Sequence, residues 1–223
     1  MNIPEVETIR KRIANTRDME TRMCFTAEYL CCARISEIIG RKCPSDITTH
    51  ARGFTGKDVK LTTFRQGKEP VDAVVFTVRT AKRGGKERSI ALPIDKQYEP
   101  LAEPLYNYIK QFGADTVFNF TRQKAFTQSK NIFEGLTYPI ERYRPFKDGK
   151  ALDFVEEHDK PFRTHALRHV RATELLDFYD FTAIELSLYG GWTLKSMVGV
   201  GSAMSRYTHL QWKKYFPKLL VKR

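Results

Sequence analysis

The stretch Thr164-His165-Ala166-Leu167-Arg168-His169 opens a run in which apolar residues recur at helical spacing, which predicts a helix over 164–178. The apolar positions of this run are Leu167, Val170, Leu175 and Leu176. His165 and Arg168 are three residues apart, so on a helix they share one face. A fixed imidazole beside a fixed guanidinium can bind an anionic oxygen and move a proton near it. An ordinary solvated helix start has the same pattern. The other segments of the chain must therefore distinguish an anion-binding site from such a helix start.

The net charge of the chain indicates which class of ligand such a site would bind. Over 223 residues the formal net charge is +12, which attracts polyanions, nucleic acid first and acidic membrane surfaces second. No apolar run reaches the length of a membrane span, and residues 1–20 lack the apolar core of a signal peptide. The cysteines are Cys24, Cys31, Cys32 and Cys43. Their spacing fits no zinc site and favours buried free thiols, so we expect a cytoplasmic, intracellular protein.

A second charged pair lies near the N-terminus, at the end of a predicted helix over 5–39. Arg34 and Glu37 are three residues apart beside an apolar face, and Gly40 is a plausible helix stop. A charge this close to an apolar face is costly to bury unless it is paired. Two interpretations follow: an ordinary surface pair, or a buried arginine aimed at a phosphate and held in place by Glu37.

The middle of the chain predicts a small antiparallel sheet. Strand candidates lie at 59–61, 71–80 and 88–92, and the glycine-containing segment 81–86 between the last two reads as a basic hairpin turn. Such a tip can contact phosphates, and a lysine there can also be delivered into a groove as a proton donor.

The remaining segments complete a mainly α fold with a small antiparallel β-sheet, of the α+β class. We predict helices over 101–112, over 126–143 with a break near Pro139, and over 181–189; an extended piece at 116–118; a charged loop over 144–161; a flexible segment over 193–206; and an aromatic and basic tail over 212–223.

Taken together, five segments resemble, in order, the boxes of the catalytic domain of the tyrosine recombinase, or phage integrase, family. The segments are Ala33-Arg34-Ile35-Ser36-Glu37-Ile38, Ala81-Lys82 to Glu87-Arg88, Thr164 to His169, Leu188-Tyr189-Gly190-Gly191-Trp192, and Arg206-Tyr207-Thr208-His209. They are similar to the first arginine box, the lysine hairpin, the His-x-x-Arg box, the Leu-Gly-His/Trp box and the nucleophile box. The resemblance covers about residues 20–211, and the boxes look more like those of integrase and Xer sequences than like those of topoisomerases. A viral, plasmid-borne or chromosomal origin stays open.

The resemblance implies a DNA cleavage reaction through a 3′-phosphotyrosine intermediate, with Tyr207 as the nucleophile. A tyrosine with a pKa of about 10 is almost wholly protonated at neutral pH, so it needs a base or strong local positive charge. Arg34 and Arg168 would clamp the non-bridging phosphate oxygens. His165 would donate a hydrogen bond to the phosphate or act as the base toward Tyr207.

Other residues take supporting roles by the same resemblance. Trp192 would donate its indole N–H to the phosphate, and Lys82 would protonate the leaving 5′-oxygen, with Lys86 as its competitor for that role. Glu37 would hold the first arginine, and His169 and His209 are interpreted as structural. The hairpin residues expected to bind DNA are Arg83, Lys86 and Arg88. We expect neither a metal nor a cofactor.

Two features depart from the family pattern. Tyr207 lies 15 residues after Trp192, a longer spacing than usual, with the predicted tether 193–206 between them. Tyr215 is therefore a fallback nucleophile, and the tether could deliver Tyr207 to a neighbour's site. We also expect residues 1–223 to form a single catalytic domain without the family's separate N-terminal core-binding domain, and hence to bind DNA weakly and salt-sensitively.

The expected partners are double-stranded DNA and further copies of the chain, as a tetramer on two duplexes with the tail from Trp212 docked on a neighbour. The expected location is the nucleoid. Two alternatives remain: a type IB topoisomerase, which relaxes DNA by similar chemistry, and a non-catalytic DNA-binding protein of the same fold.

Overall fold

The computed structural model describes residues 4–40, 52–66, 69–80, 87–143, 146–147, 150–151, 156–192 and 212–221. The helices are α1 Val6–Ala14, α2 Met19–Leu30, α3 Ile35–Ile38, α4 Ala102–Ile109, α5 Arg122–Ile132, α6 Thr164–Asp177 and α7 Ala183–Gly190. The strands are β1 Val59–Gln66, β2 Glu69–Arg79, β3 Glu87–Pro93, β4 Thr137–Tyr143, β5 Phe146–Lys147, β6 Lys150–Ala151 and β7 Glu156–Pro161. The mixed α+β class with a small antiparallel sheet is confirmed.

The N-terminal region forms three helices, so the prediction of one helix over 5–39 was wrong. Asp18 caps α2 by accepting a hydrogen bond from the Thr21 backbone N–H, which separates α2 from α1. Cys32, at a φ of 46°, adopts a left-handed conformation that ends α2 before α3 begins. The second break sets Arg34 at the N-cap of its own short helix.

The predicted three-stranded sheet is confirmed, with the order β1-β2-β3 and antiparallel pairing throughout. Alternate residues of β2 face opposite sides. Val74, Phe76 and Val78 are buried in the main core with the helices. Ala73 and Val75 face a smaller apolar cluster on the other side.

The described part of the C-terminal tail covers this second face of the sheet. Phe216 is buried there, and its ring lies 4.9 Å from that of Phe64, with Trp212 packed beside both. The tail was expected to dock on a neighbouring subunit. Residues 212–221 pack on their own sheet, because an apolar sheet face needs a cover and the tail's aromatic rings supply it, and the docking on a neighbour stays a prediction.

Two predictions for the region between α5 and α6 were wrong. The helix expected over 126–143 ends at Ile132, where Gly135 takes a φ of 76°, and β4 follows. The expected charged loop 144–161 contains β7, which pairs with β4 around an irregularity at Pro139. Backbone hydrogen bonds hold such a two-stranded ribbon, so its charged sequence shows little of the alternation that identifies a strand.

Helix α6 is the central helix, as predicted, and it packs mainly against α2. Leu167, Val170 and Leu175 are buried, whereas Leu176 is 42% exposed. Successive residues of a helix are about 100° apart around its axis, so Leu176 points away from the core face on which Leu175 lies. The predicted helix over 181–189 is α7, which ends at Gly191 in a left-handed conformation.

A buried network of four charges ties α6 to α1 and to the segment before α4. Arg10 binds both carboxylate oxygens of Glu99, at 2.7 and 3.0 Å, and contacts Glu174 at 3.2 Å. Arg171 contacts Glu174 at 2.6 Å and Glu99 at 3.3 Å. The Tyr29 hydroxyl donates to Glu174 at 2.5 Å. The two cations balance the two anions, so this network holds helices together.

Removal of one carboxylate from the network should be strongly destabilising. Replacing Glu174 by glutamine leaves two buried guanidinium groups facing one carboxylate, and we expect the free energy of unfolding to fall by about 3 kcal/mol in urea titrations. Glu103→Gln, in the exposed pair with Lys96, is the matched control and should cost less than about 1 kcal/mol. Equal effects of the two substitutions would contradict this account of the network.

Candidate active site

The candidate site is built around the carboxylate of Glu37, on α3. One oxygen accepts the backbone N–H of Arg34 at 3.1 Å, and the other contacts the Arg34 guanidinium at 2.9 Å. The Glu37 side chain is fully buried, whereas that of Arg34 is 29% exposed. The pair is therefore not an ordinary surface pair, but its buried member is the glutamate, whereas the arginine, expected to be buried, is partly exposed.

Two further guanidinium groups meet the same carboxylate. Arg88, on β3, contacts Glu37 Oε2 at 3.3 Å, and Arg168, on α6, lies 3.7 Å from that oxygen. Burial by itself would raise the pKa of Glu37, but Arg88, the Arg34 backbone N–H, Arg168 and the Arg34 guanidinium together hold this pKa below its usual value. Glu37 is therefore ionised at neutral pH.

This group of four side chains, here called the Glu37 cluster, carries an excess of positive charge. Three guanidinium groups meet one carboxylate. Glu28 lies nearby on α2, but burial raises its pKa well above the usual value, which favours its neutral form. Within the part of the chain that the structure describes, the cluster thus carries more positive than negative charge. An anion is the natural complement of such a site.

Arg88 was expected on the DNA-binding surface of the hairpin, and the structure corrects this position. Its side chain is buried, with Nε donating to the Tyr189 carbonyl at 2.9 Å and Nη2 to the Cys31 carbonyl at 3.3 Å. Together with the contact to Glu37, these bonds tie β3 to the ends of α2 and α7. Arg88 therefore positions the cluster from inside.

Arg168 is almost wholly buried, with 1% of its surface exposed. Its Nη2 donates to the Gly190 carbonyl at 2.7 Å, and its guanidinium carbon lies 4.1 Å from the centre of the Trp192 ring. Desolvation lowers the pKa of Arg168 to about 10, opposed in part by Cys32 and Glu37. The guanidinium therefore still carries its charge at neutral pH, stacked beneath an aromatic face.

The turn after α7 fixes the backbone of Trp192. The Trp192 N–H donates to the Ser187 carbonyl at 3.1 Å, and the Ser187 hydroxyl donates to the Trp192 carbonyl at 2.8 Å. Gly191 provides the left-handed residue that this turn requires, at a φ of 68°. This turn holds Trp192 where its ring lies beside Arg168, and the expected hydrogen bond from its indole N–H to a phosphate stays a prediction.

His165 lies in the first turn of α6, exposed to solvent on the same side as Arg168. Desolvation, then the positive charges of Arg168 and Arg34, lower its pKa below the ordinary 6.5, so the imidazole is neutral at pH 7 and can accept a proton. His169 lies one turn further on, with its ring centre 4.8 Å from that of His165. Desolvation lowers the pKa of His169 to about 4, in keeping with a structural role.

Several predicted residues lie outside the described part of the chain. They are Lys82, Arg83, Lys86, Tyr207, His209 and the tether 193–206. The fallback nucleophile Tyr215 is described: it is 1% exposed, and its hydroxyl donates to the Ser89 carbonyl at 3.2 Å. Burial raises the pKa of Tyr215, which makes this hydroxyl a poor nucleophile where it lies.

The inward position of Arg88 had a signal in the sequence. Arg88, Ile90 and Leu92 alternate along β3, so all three face the core. The buried Glu28 had no such signal, because α2 is buried nearly all round and its sequence does not show which polar residue meets the cluster.

Comparison with protein-family models finds no matching model, and comparison with curated proteins finds no matching protein. Over the described ranges, no helix combines the length and the apolar character needed to cross a membrane.

The Glu37 carboxylate should make stability depend on pH in a defined direction. Because its folded-state pKa lies below the ordinary 4.5, its contribution is complete above pH 4.5 and is lost as the pH falls through the folded-state value. We expect Glu37→Gln to lower the free energy of unfolding by about 3 kcal/mol at pH 7.

The measurement is a set of urea titrations from pH 7 down to about pH 2, so that it extends below the folded-state pKa, with the exposed Asp115→Asn as control. The difference between the wild type and Glu37→Gln should shrink toward the acid end of this range, whereas Asp115→Asn should follow the wild type throughout. A Glu37→Gln difference that stays constant with pH would show that the carboxylate charge is not what holds the cluster.

Proposed function

We propose that this protein cleaves and rejoins DNA strands as a tyrosine recombinase, through a covalent 3′-phosphotyrosine intermediate. The observation that carries the proposal is the uncompensated positive charge of the Glu37 cluster beside the neutral His165. Arg34 and Arg168 come from the two arginine boxes, far apart in sequence, yet both face one carboxylate. The net charge of +12 favours a polyanionic substrate.

In the proposed reaction, a scissile phosphate lies against the cluster. Arg34 and Arg168 bind its non-bridging oxygens and stabilise the charge that develops as phosphorus becomes five-coordinate. The Tyr207 oxygen forms a bond to phosphorus while the bond from phosphorus to the 5′-oxygen breaks. The product is a 3′-phosphotyrosine and a free 5′-hydroxyl, and attack by a 5′-hydroxyl reverses the step without loss of bond energy.

Two proton transfers accompany this step. The Tyr207 proton passes to His165, whose neutral form at pH 7 suits a general base. Lys82 gives a proton to the departing 5′-oxygen. The indole N–H of Trp192 is a further donor for the phosphate. Glu37 and Arg88 touch no substrate in this scheme, and they hold the arginines in place.

Covalent trapping tests the proposal. The substrate is a pool of nicked duplexes with randomised centres, in which the short strand released after cleavage diffuses away and prevents religation. We expect the wild-type protein to form a complex with DNA that survives a denaturing gel. Tyr207→Phe should form none, because it lacks the nucleophilic oxygen, and Arg168→Lys should form roughly a hundredfold less, because it loses the bidentate fork.

Tyr215→Phe is the matched control and should form the complex at the wild-type level. A complex that persists in Tyr207→Phe and disappears in Tyr215→Phe would move the nucleophile to the tail. DNA binding without a covalent complex would favour the non-catalytic alternative. Relaxation of supercoiled DNA without strand exchange would favour a type IB topoisomerase.

A further inference from the structure

The ring of Trp192 covers the guanidinium group of Arg168. The ring centre lies 4.1 Å from the guanidinium carbon, a stacking distance, and Arg168 is 1% exposed. Trp192 itself is partly exposed to solvent. The indole therefore lies between the bulk solvent and a cation that the proposed chemistry requires to touch a phosphate.

One donor of Arg168 finds no hydrogen-bond acceptor among the residues that the structure describes. Nη2 donates to Gly190, whereas Nη1 is buried without a hydrogen-bond partner in these ranges, with Glu37 Oε2 at 3.7 Å. A buried N–H without an acceptor is unfavourable, and a phosphate oxygen would satisfy it. The donor is thus in place while the ring bars the approach of a ligand.

The ring is seated against Gly190 as well as Arg168. A Cβ atom at Gly190 would lie 1.8 Å from Cζ3 of the indole, so the position has room for glycine alone while the ring is stacked. The Trp192 backbone is held by its two bonds to Ser187. The ring can therefore leave its seat by rotation of the side chain, without movement of α7.

We propose that Trp192 controls access to the anion site: its ring closes Arg168 in the free protein, and a ligand must displace the ring to place an oxygen on Nη1. A phosphate within duplex DNA can do this, because the basic surface holds the duplex by many other contacts. A small free anion lacks those contacts. The identity of the displacing phosphate rests on the proposed function, whereas the closed state of Arg168 does not.

Chemical labelling tests the closed state without DNA. The protein is treated with phenylglyoxal, which reacts with accessible guanidinium groups, and each arginine is followed by peptide mass spectrometry. Trp192→Ala removes the ring, and Gly190→Ala drives it from its seat. In both variants we expect Arg168 to react faster than in the wild type by roughly tenfold or more. In the wild type the reagent reaches Arg168 only when the ring moves away, and in the variants this step is no longer needed.

The chain supplies matched controls. Trp212→Ala removes the other tryptophan, which packs on the sheet against Phe64, and should leave Arg168 protected. Arg171, with a fully buried side chain, should stay unlabelled in all proteins, and Arg34, with 29% of its side chain exposed, should be labelled in all. If Arg171 reacts in Trp192→Ala, the core of that variant has loosened. The labelling rate of Arg168 in Gly190→Ala, with Arg171 unlabelled, then tests whether the ring covers Arg168.

Slow labelling of Arg168 in the wild type and fast labelling in the two ring variants supports the proposal. Equal rates in the wild type and the variants overturn it. The result is separable from the proposed function. If Arg168 is protected but the protein forms no covalent DNA complex, only the proposed recombinase function is overturned. If the protein forms the covalent complex but Arg168 reacts freely, only the proposed covering of Arg168 by Trp192 is overturned.

Discussion

A single buried carboxylate, that of Glu37, holds the candidate site together. It meets guanidinium groups from α3, β3 and α6, so it links the first helical region, the sheet and the central helix at one point. Without that negative charge, three cations would face one another in a poorly solvated space. One carboxylate is enough to assemble them but too little to neutralise them, and the remaining positive charge suits the cluster to an anion.

The two arginine-rich groups of this protein differ in charge balance. Arg10 and Arg171 meet Glu99 and Glu174 in a buried network whose two positive and two negative side chains balance. The Glu37 cluster lies one helical turn away along α6, carries excess charge and reaches the surface through Arg34 and His165. The balanced network holds α6 rigidly in place, and α6 supplies Arg168 to the Glu37 cluster. A site of defined geometry requires such support.

Much of this arrangement was predictable from local patterns. Strand-favouring residues and a glycine-containing turn indicated the sheet, and helical spacing indicated α6. The residues Arg34, Glu37, His165, Arg168 and Trp192 were singled out with the help of a family resemblance, and their roles stay predictions. Patterns failed where the tertiary structure decides: the ribbon of β4 and β7 shows little apolar alternation, and the Trp192 ring over Arg168 depends on a turn at Gly191. The charge of Arg88 suggested a surface position. Arg88 nevertheless lies two residues before Ile90 on β3, so both side chains face the core.

The most direct test of the central claim is a crystal structure of the protein with vanadate and a duplex cut at the cleavage point, since vanadate adopts the five-coordinate geometry of the transition state. We expect vanadate bound by Arg34 and Arg168, with the Tyr207 oxygen as one apical ligand and the Trp192 ring off the guanidinium group. Vanadate bound away from the Glu37 cluster, or another residue in the apical position, would contradict it.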